Sequence, residues 1–280
     1  YSEISFFETG LMRPEDWVAE WIGGDYEGFE TAGDVFNKGF RLPCGVLLRK
    51  EFETPREVVR ARVYVCGLGW YELRINGCRI GDRVLDPAQS DYKKRVYYST
   101  YDVTGCLKKG SNAVGIMLGN GRYIRAYGYD TPRLIVQISL TFADGSNMVL
   151  ASDETWKMAH GPITINDIYH GETYDARLEE PGWDLPGFDD TQWRTAKVVQ
   201  PPGGRLVAQM FPPIKVTKAL RPVKMWSPRQ GVYVYDFGQN FSGWARIWAK
   251  GPAGTEIKLR YAELIDADGT LNVKPNRGAK

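Results

Sequence analysis

The stretch GETYDAR, residues 171–177, sets two carboxylates, Glu172 and Asp175, within one short span and places Arg177 two positions further on. Paired acids are the working groups of most enzymes that cleave glycosidic bonds. An inverting pair must stand about 6.5–9.5 Å apart on opposite sides of a sugar ring. Two residues three apart on an irregular loop hardly flank a ring in that way. Arg177 would also hold a neighbouring carboxylate ionised, which is the wrong direction for a general acid. The preferred reading is therefore a structural brace, with Arg177 forked to a carboxylate and Tyr174 packed beneath a crossing loop.

Other chemistry finds less support. DFGQN, residues 236–240, could offer oxygens to a metal or to sugar hydroxyls, but Asx side chains equally satisfy local backbone donors. No G-x-S-x-G elbow occurs, and no glycine-rich strand–loop–helix cradle for phosphate. His160 and His170 are the only imidazoles, and the four cysteines (Cys44, Cys66, Cys78 and Cys106) form no C-x-x-C pair, so a zinc site is not expected. Free thiols are the expectation for all four, because disulfide frameworks belong mainly to small secreted domains. A net charge of +2 argues against a dedicated nucleic-acid surface, and no apolar run approaches the roughly 20 residues that span a bilayer.

The elements that must position these groups read as strands. The 280 residues include 31 glycines, 16 prolines, 9 tryptophans and 16 tyrosines, the composition of many short strands joined by tight turns. In VVRARVYVCG, Val59, Ala61, Val63 and Val65 alternate with Arg60, Arg62 and Tyr64, which predicts a strand with one buried side. Asn76-Gly77 between two extended runs predicts a type I′ hairpin, and Asp144-Gly145 a second one. Residues 103–110 should form a turn that carries Val103 and Leu107 inward. A glycine-rich loop is expected over residues 23–45, after a strand end in EISFFETG. Roughly eight strands precede residue 200, and no helical periodicity exceeds two turns. QPPGGRLVAQMFPPI, residues 200–214, reads as a bridge, followed by strand-like runs in GVYVYDFG, GWARIWAKG and TEIKLRYAE. The fold class expected is all-β, a jelly-roll or β-sandwich module followed by part of a second β-sandwich.

ARVYVCGLGWYELRINGCRIGDRVLDP, YSTYDVTGCLKKGSNAVGIMLGNG and IYHGETYDARLEEPGWDLPGFDDTQW together resemble the N-terminal β-sandwich module of bacterial α-L-rhamnosidases, glycoside hydrolase family 78. YDFGQNFSGWARIWAKGPAGTEIKLRYAE resembles the concanavalin-like sandwich that follows it in that family. The resemblance implies the end of an upstream immunoglobulin-like domain with its connector over residues 1–20, the N-terminal module over 21–205, and a truncated concanavalin-like domain over 206–280. It implies that inverting hydrolysis belongs to an (α/α)₆ barrel downstream in the same polypeptide, which nothing in this sequence matches. The chain alone is then expected to be inactive, an accessory region that meets a rhamnose-containing glycan or glycoside, with no membrane or nucleic-acid partner. The immunoglobulin-like seam slightly favours a periplasmic or secreted location over a cytoplasmic one.

The same resemblance directs attention to GNGRYIRAYGYD. Arg122 stands where the family commonly has Trp, which exchanges a stacking platform for a fork of donors. Asn120, Arg122 and Tyr123, with Trp70, form the candidate carbohydrate-binding group, since sugars are held by aromatic faces and polar side chains. Core packing is the competing role for Trp70. Some related modules use calcium, and GNG with Asp130 would be an incomplete set for an ion that takes six to eight oxygens. The alternatives to an accessory region are a stand-alone lectin-like rhamnose-binding module and a purely structural scaffold.

Overall fold

A computed structural model of the chain describes residues 7–23, 44–124, 127–277 and 279. The loop expected between residues 23 and 45 lies almost wholly outside these, as does most of the strand end in EISFFETG. The chain divides into two compact units, one formed by residues up to 167 with 172–214, the other by 168–171 with 215–280.

In the first unit the strands run in order as β1 (Ile22–Gly23), β2 (Val46–Thr54), β3 (Val58–Leu68), β4 (Tyr71–Ile75), β5 (Cys78–Arg79), β6 (Arg95–Asp102) and β7 (Gly110–Leu118). There follow β8 (Arg133–Phe142), β9 (Asn147–Ala151), β10 (Lys157–His160), β11 (Ile163–Asp167) and β12 (Gly171–Tyr174). β13 (Arg194–Thr195), β14 (Lys197–Val198) and β15 (Arg205–Ala208) complete it. One sheet has the order β14-β1-β8-β3-β6-β15, with β9 also on β8; the other reads β13-β10-β2-β7-β4-β5. Pairing is antiparallel except for β15, which joins β6 in parallel. β15 falls inside the proline- and glycine-rich stretch 200–214, so part of that bridge is a strand of the first sheet.

Alternation explains the core. Ala61, Val63 and Val65 of β3, with Val136, Ile138 and Leu140 of β8, face Leu48 of β2, Leu73 and Ile75 of β4 and Val114 and Ile116 of β7, and all are essentially solvent-free. Val59, expected on that face, is exposed because the β3–β8 register shifts between Val58 and Arg60, and the bulged residue turns outward. Val103 reaches the core and Leu107 packs against it, as the turn pattern predicts. The Asn76-Gly77 turn has φ of 49° and 81°, the two positive angles of a type I′ hairpin, and Gly145 has φ 80° in the β8–β9 hairpin.

Both outer faces are also covered. On the first sheet, Tyr64, Cys66 and Tyr98 are overlaid by Leu11, Trp17 and Trp21. Trp17 meets Tyr98 edge-on at 5.3 Å, and the buried Gln137 side chain accepts from Val18 N and donates to Asp16 O. On the second sheet, residues 183–190 are clamped by arginines. Arg49, 1% exposed, donates to Trp183 O, Leu185 O and Asp190, and Arg74 pairs with Asp184. The buried Arg49 guanidinium and the buried Asp184 carboxylate thereby have the partners that their desolvation demands.

The second unit is also all-β, with β16 (Lys224–Arg229) against β17 (Val232–Asp236) and β18 (Leu264–Ile265) against β19 (Leu271–Asn272), both antiparallel. Trp226 Nε1 donates to Gly269 O at 2.8 Å and links the two pairs. The runs GWARIWAKG and TEIKLRYAE, expected as strands, carry no ladder; Trp244, Trp248, Ile257 and Leu259 are exposed there. Apolar and β-branched residues make a strand only when a neighbour supplies the hydrogen bonds and the buried face.

Candidate functional site

GETYDAR begins in β12 and ends in a 3₁₀ turn, Ala176–Leu178, which Asp175 caps by accepting from Arg177 N at 3.1 Å. Arg177 Nε donates to Asp175 Oδ1 at 2.8 Å and Nη2 to Oδ2 at 2.6 Å, a two-pronged pair on the surface. The Arg177 side chain, and then its backbone N–H, hold the Asp175 carboxyl down at about 2. Partial desolvation pushes Glu172 the other way, upward. Opposed shifts of this kind can mark an acid and a base. Here, however, Arg177 bonds both oxygens of Asp175 and holds the carboxylate ionised, which suits an ion pair better than a proton donor. Tyr174 is half exposed rather than packed under a loop, and its hydroxyl donates to Glu179 Oε1 at 2.6 Å. Asp236 caps its own turn, accepting from Gly238 N at 2.7 Å, the local role open to an Asx residue.

The residues expected to bind carbohydrate gather at one end of the first unit, but they do not all face outward. The segments 68–71 and 119–121 lie back to back, with Gly119 N donating to Trp70 O at 2.9 Å. A Cβ on Gly69 would stand 1.8 Å from Asn120 O, so only glycine allows this approach. Asn120 is fully buried; its N–H and its Nδ2 bond Asn166 Oδ1 and O, both at 2.7 Å. Tyr123 is 2% exposed, stacked on Tyr129 at 5.6 Å, with the Arg133 guanidinium over its face. Arg122 lies over the Tyr127 ring at 5.0 Å. Asn120 and Tyr123 are thus engaged in packing, and Trp70 is the member of the group that borders a cavity.

Calcium does not fit. Asp130, the acid of that set, ion-pairs with the Arg133 guanidinium, and among the described residues no group of three or more His, Cys, Asp or Glu could hold a metal ion.

The cavity beside Trp70 measures about 180 Å³ and is lined by Leu85, Asp86, Gln89, Gln209 and Phe211 among others. Trp70 (φ 86°) and Leu85 (φ 53°) both lie in the left-handed region, unusual for large side chains and a mark of a closely specified turn. Val84 N donates to Ile214 O at 3.0 Å and Ala88 N to Gln209 Oε1 at 3.2 Å, which ties segment 209–214 across the mouth of the 84–89 loop. Asp86 is 4% exposed. Its Oδ2 accepts from Tyr71 Oη at 2.7 Å, from Tyr101 Oη at 3.2 Å and from Ser99 Oγ. Arg83 donates to Ser99 Oγ at 2.8 Å, covers the Tyr101 ring, and stands 4.0 Å from Asp86 Oδ1. Burial, reinforced by the Asp86 charge, pushes the Tyr71 hydroxyl well up and the Tyr101 hydroxyl up to about 12. Both phenols therefore stay protonated donors. Asp86, Arg83, Gln209 and Phe211 escape a reading of the sequence. The Asp-Pro pair at 86–87 signals a turn, but nothing local announces a buried carboxylate.

Comparison with known proteins places this arrangement. Residues 56–218 match the α-L-rhamnosidase N-terminal domain family, and residues 227–280 match the bacterial α-L-rhamnosidase concanavalin-like domain family. An α-L-rhamnosidase of Formosa agariphila is 36% identical across 96% of the chain and 31% of its own length. One from Streptomyces avermitilis is 40% identical across 83% of the chain and 23% of its own length. Among solved structures, the α-L-rhamnosidase of Dictyoglumus thermophilum superposes with a TM-score of 0.89 at 50% identity, covering 98% of this chain and 31% of that one. That of Aspergillus terreus gives 0.89 at 37% identity, covering 98% and 32%. The chain thus spans a third or less of the relatives it matches.

Proposed function

Because the chain belongs to the α-L-rhamnosidase N-terminal domain family, we propose that it is the non-catalytic accessory region of a larger α-L-rhamnosidase. In this reading the two β units support a catalytic (α/α)₆ domain of the same polypeptide and meet glycans or glycosides that end in L-rhamnose. The observation that carries it is the Asp175–Arg177 fork. Asp175, whose pKa is lowered to about 2, is ionised at all pH values well above that and has both oxygens engaged, whereas glycoside hydrolysis needs one carboxylic acid that is protonated at working pH and a second carboxylate across the ring. The breadth of the match, two rhamnosidase family domains in succession along the chain, supports the same reading. The test is release of p-nitrophenol from p-nitrophenyl α-L-rhamnopyranoside. The 280-residue chain should release none above background, and robust turnover abolished by Glu172→Gln would overturn the accessory assignment.

A further inference from the structure

We propose that Cys78 and Cys106 form a redox modification site, a dithiol that a small-molecule disulfide such as glutathione disulfide converts into an intramolecular bridge. The inference is independent of the accessory reading.

Strand alternation sets the direction of Cys78. β4 and β5 flank the Asn76-Gly77 turn, and their register pairs Ile75 with Cys78. Ile80 N donates to Leu73 O at 2.8 Å and carries the ladder one step further. Residues opposite one another across a ladder share a face. Leu73, Ile75 and Ile80 all belong to the core, so Cys78 turns toward the same side, at its open edge. Arg79 turns the other way, to Glu72 at 3.2 Å.

The second thiol comes from the turn after β6. Val103 is buried in that core, and Cys106 and Leu107 both pack against it. Asn76 fastens the two segments, since its Nδ2 donates to Cys106 O at 2.9 Å and its backbone N–H to Ala113 O at 3.0 Å. Two thiols thus share the rim of one core, and the hairpin tip holds them in place. Burial pushes the Cys106 thiol up and Cys78 adds to that push, an effect that only a nearby group exerts. Both thiols are free. Cys66 lies in the other cluster, and Cys44 Sγ stands 2.8 Å from His160 Nδ1, so neither competes for this pairing.

Exposure makes Cys78 the entering thiol. Its thiolate attacks one sulfur of the small disulfide, a bond to Cys78 forms, the S–S bond of the reagent breaks, and one thiolate leaves. The Cys106 thiolate then attacks the Cys78 sulfur, forms the Cys78–Cys106 bond and expels the second thiolate. The two cysteine protons pass through solvent to the two released thiols. Two protein thiols are oxidised, and one disulfide is reduced. A raised thiol makes Cys106 a poor first nucleophile, but its position beside the mixed disulfide offsets that. The bridge ties β5, the last strand of the second sheet, to the turn at 103–107 and closes the chain between 78 and 106 into a ring.

The experiment treats the native, reduced 280-residue chain with 4,4′-dithiodipyridine at about pH 8, read by thiopyridone absorbance and by peptide mass spectrometry without reduction. The adduct on Cys78 should be transient, a second thiopyridone should follow, and the product should be a peptide pair linked through Cys78 and Cys106, lighter by two hydrogens. Cys106→Ser should retain the adduct on Cys78, and Cys78→Ser should slow the first release about tenfold. Glutathione disulfide should give the same linked peptides and raise the urea midpoint, and dithiothreitol should reverse both. A persistent adduct on Cys78 in the parent protein, a linked peptide that forms only in denaturant, or a midpoint that does not rise would each overturn the proposal. None of these touches the accessory reading, which stands or falls on turnover.

Discussion

The Tyr71 hydroxyl donates to Asp86 Oδ2 at 2.7 Å, while the backbone N–H of Tyr71 donates to Asp86 O at 3.1 Å. One residue at the start of β4 thus fixes both the main chain and the carboxylate of a loop fifteen positions further on. The turn at Trp70, the 84–89 loop and the floor of the cavity are held in one register by that double contact.

Tyr71→Phe removes one of the three hydroxyls on a buried carboxylate and supplies nothing in return. Unfolding in urea should show a loss of about 1–3 kcal/mol, with the slope unchanged, because the ring still fills its place beside the core.

Two arginines of the same chain should behave in opposite ways. Arg49→Ala strips a fully buried guanidinium from Asp190 and from the carbonyls of Trp183 and Leu185. It should cost about 3–5 kcal/mol and loosen residues 183–190, seen as faster amide exchange there. Arg177→Ala breaks a fork that lies on the surface, and its urea midpoint should be indistinguishable from the parent's.

The Asp175–Arg177 fork should instead be visible in a titration. Asp175 is depressed to about 2 in the folded chain, so whatever it contributes is fully present above the ordinary carboxylate value of about 4 and fades as pH falls from there through 2. Carboxyl chemical shifts should give a midpoint near 2, moving to about 4 in Arg177→Ala. A midpoint already near 4 in the parent would mean that the fork does not persist in solution.

Gly69→Ala should not fold to the parent structure, because the new methyl would meet Asn120 O at 1.8 Å. Gly105→Ala, with nothing within 4 Å of the added carbon, should be tolerated. Parallel thermal melts of the two variants check both halves.

Thiol labelling should be stepwise. Cys78 is exposed, whereas burial pushes the Cys66 thiol well up and leaves it no solvent contact. A disulfide reagent should modify Cys78 first, and Cys66 only after denaturant unfolds the sheet. Immediate reaction of Cys66 would contradict its placement under Trp17 and Tyr92.

Much of the fold was legible locally. Asn76-Gly77 and Asp144-Gly145 announce their hairpins because positive φ is a property of the residues themselves, and the alternation in β3 declares its inner face. The outward turn of Val59 was not legible, because a bulge depends on the register of β8 against β3. GWARIWAKG and TEIKLRYAE carry strand composition, but pairing depends on neighbours that composition does not specify. At the candidate site the same divide recurs. Trp70 stands out as an aromatic beside a turn, whereas Asn120 and Tyr123 look like surface residues of a strand-end loop and are buried by Asn166, Tyr129 and Arg133.

By itself, then, the sequence determined the all-β class, the tight turns and the alternating faces, since each follows from the conformational preferences of neighbouring residues. Only the tertiary structure decided which polar groups are buried. Arg49 finds Trp183, Leu185 and Asp190 more than 130 positions away, and Asp86 gains its donors from Tyr71 on β4 and from Ser99 and Tyr101 on β6. Desolvation acts through space rather than along the chain, and so the chemistry of the Trp70 cavity exists only once the sheets have closed.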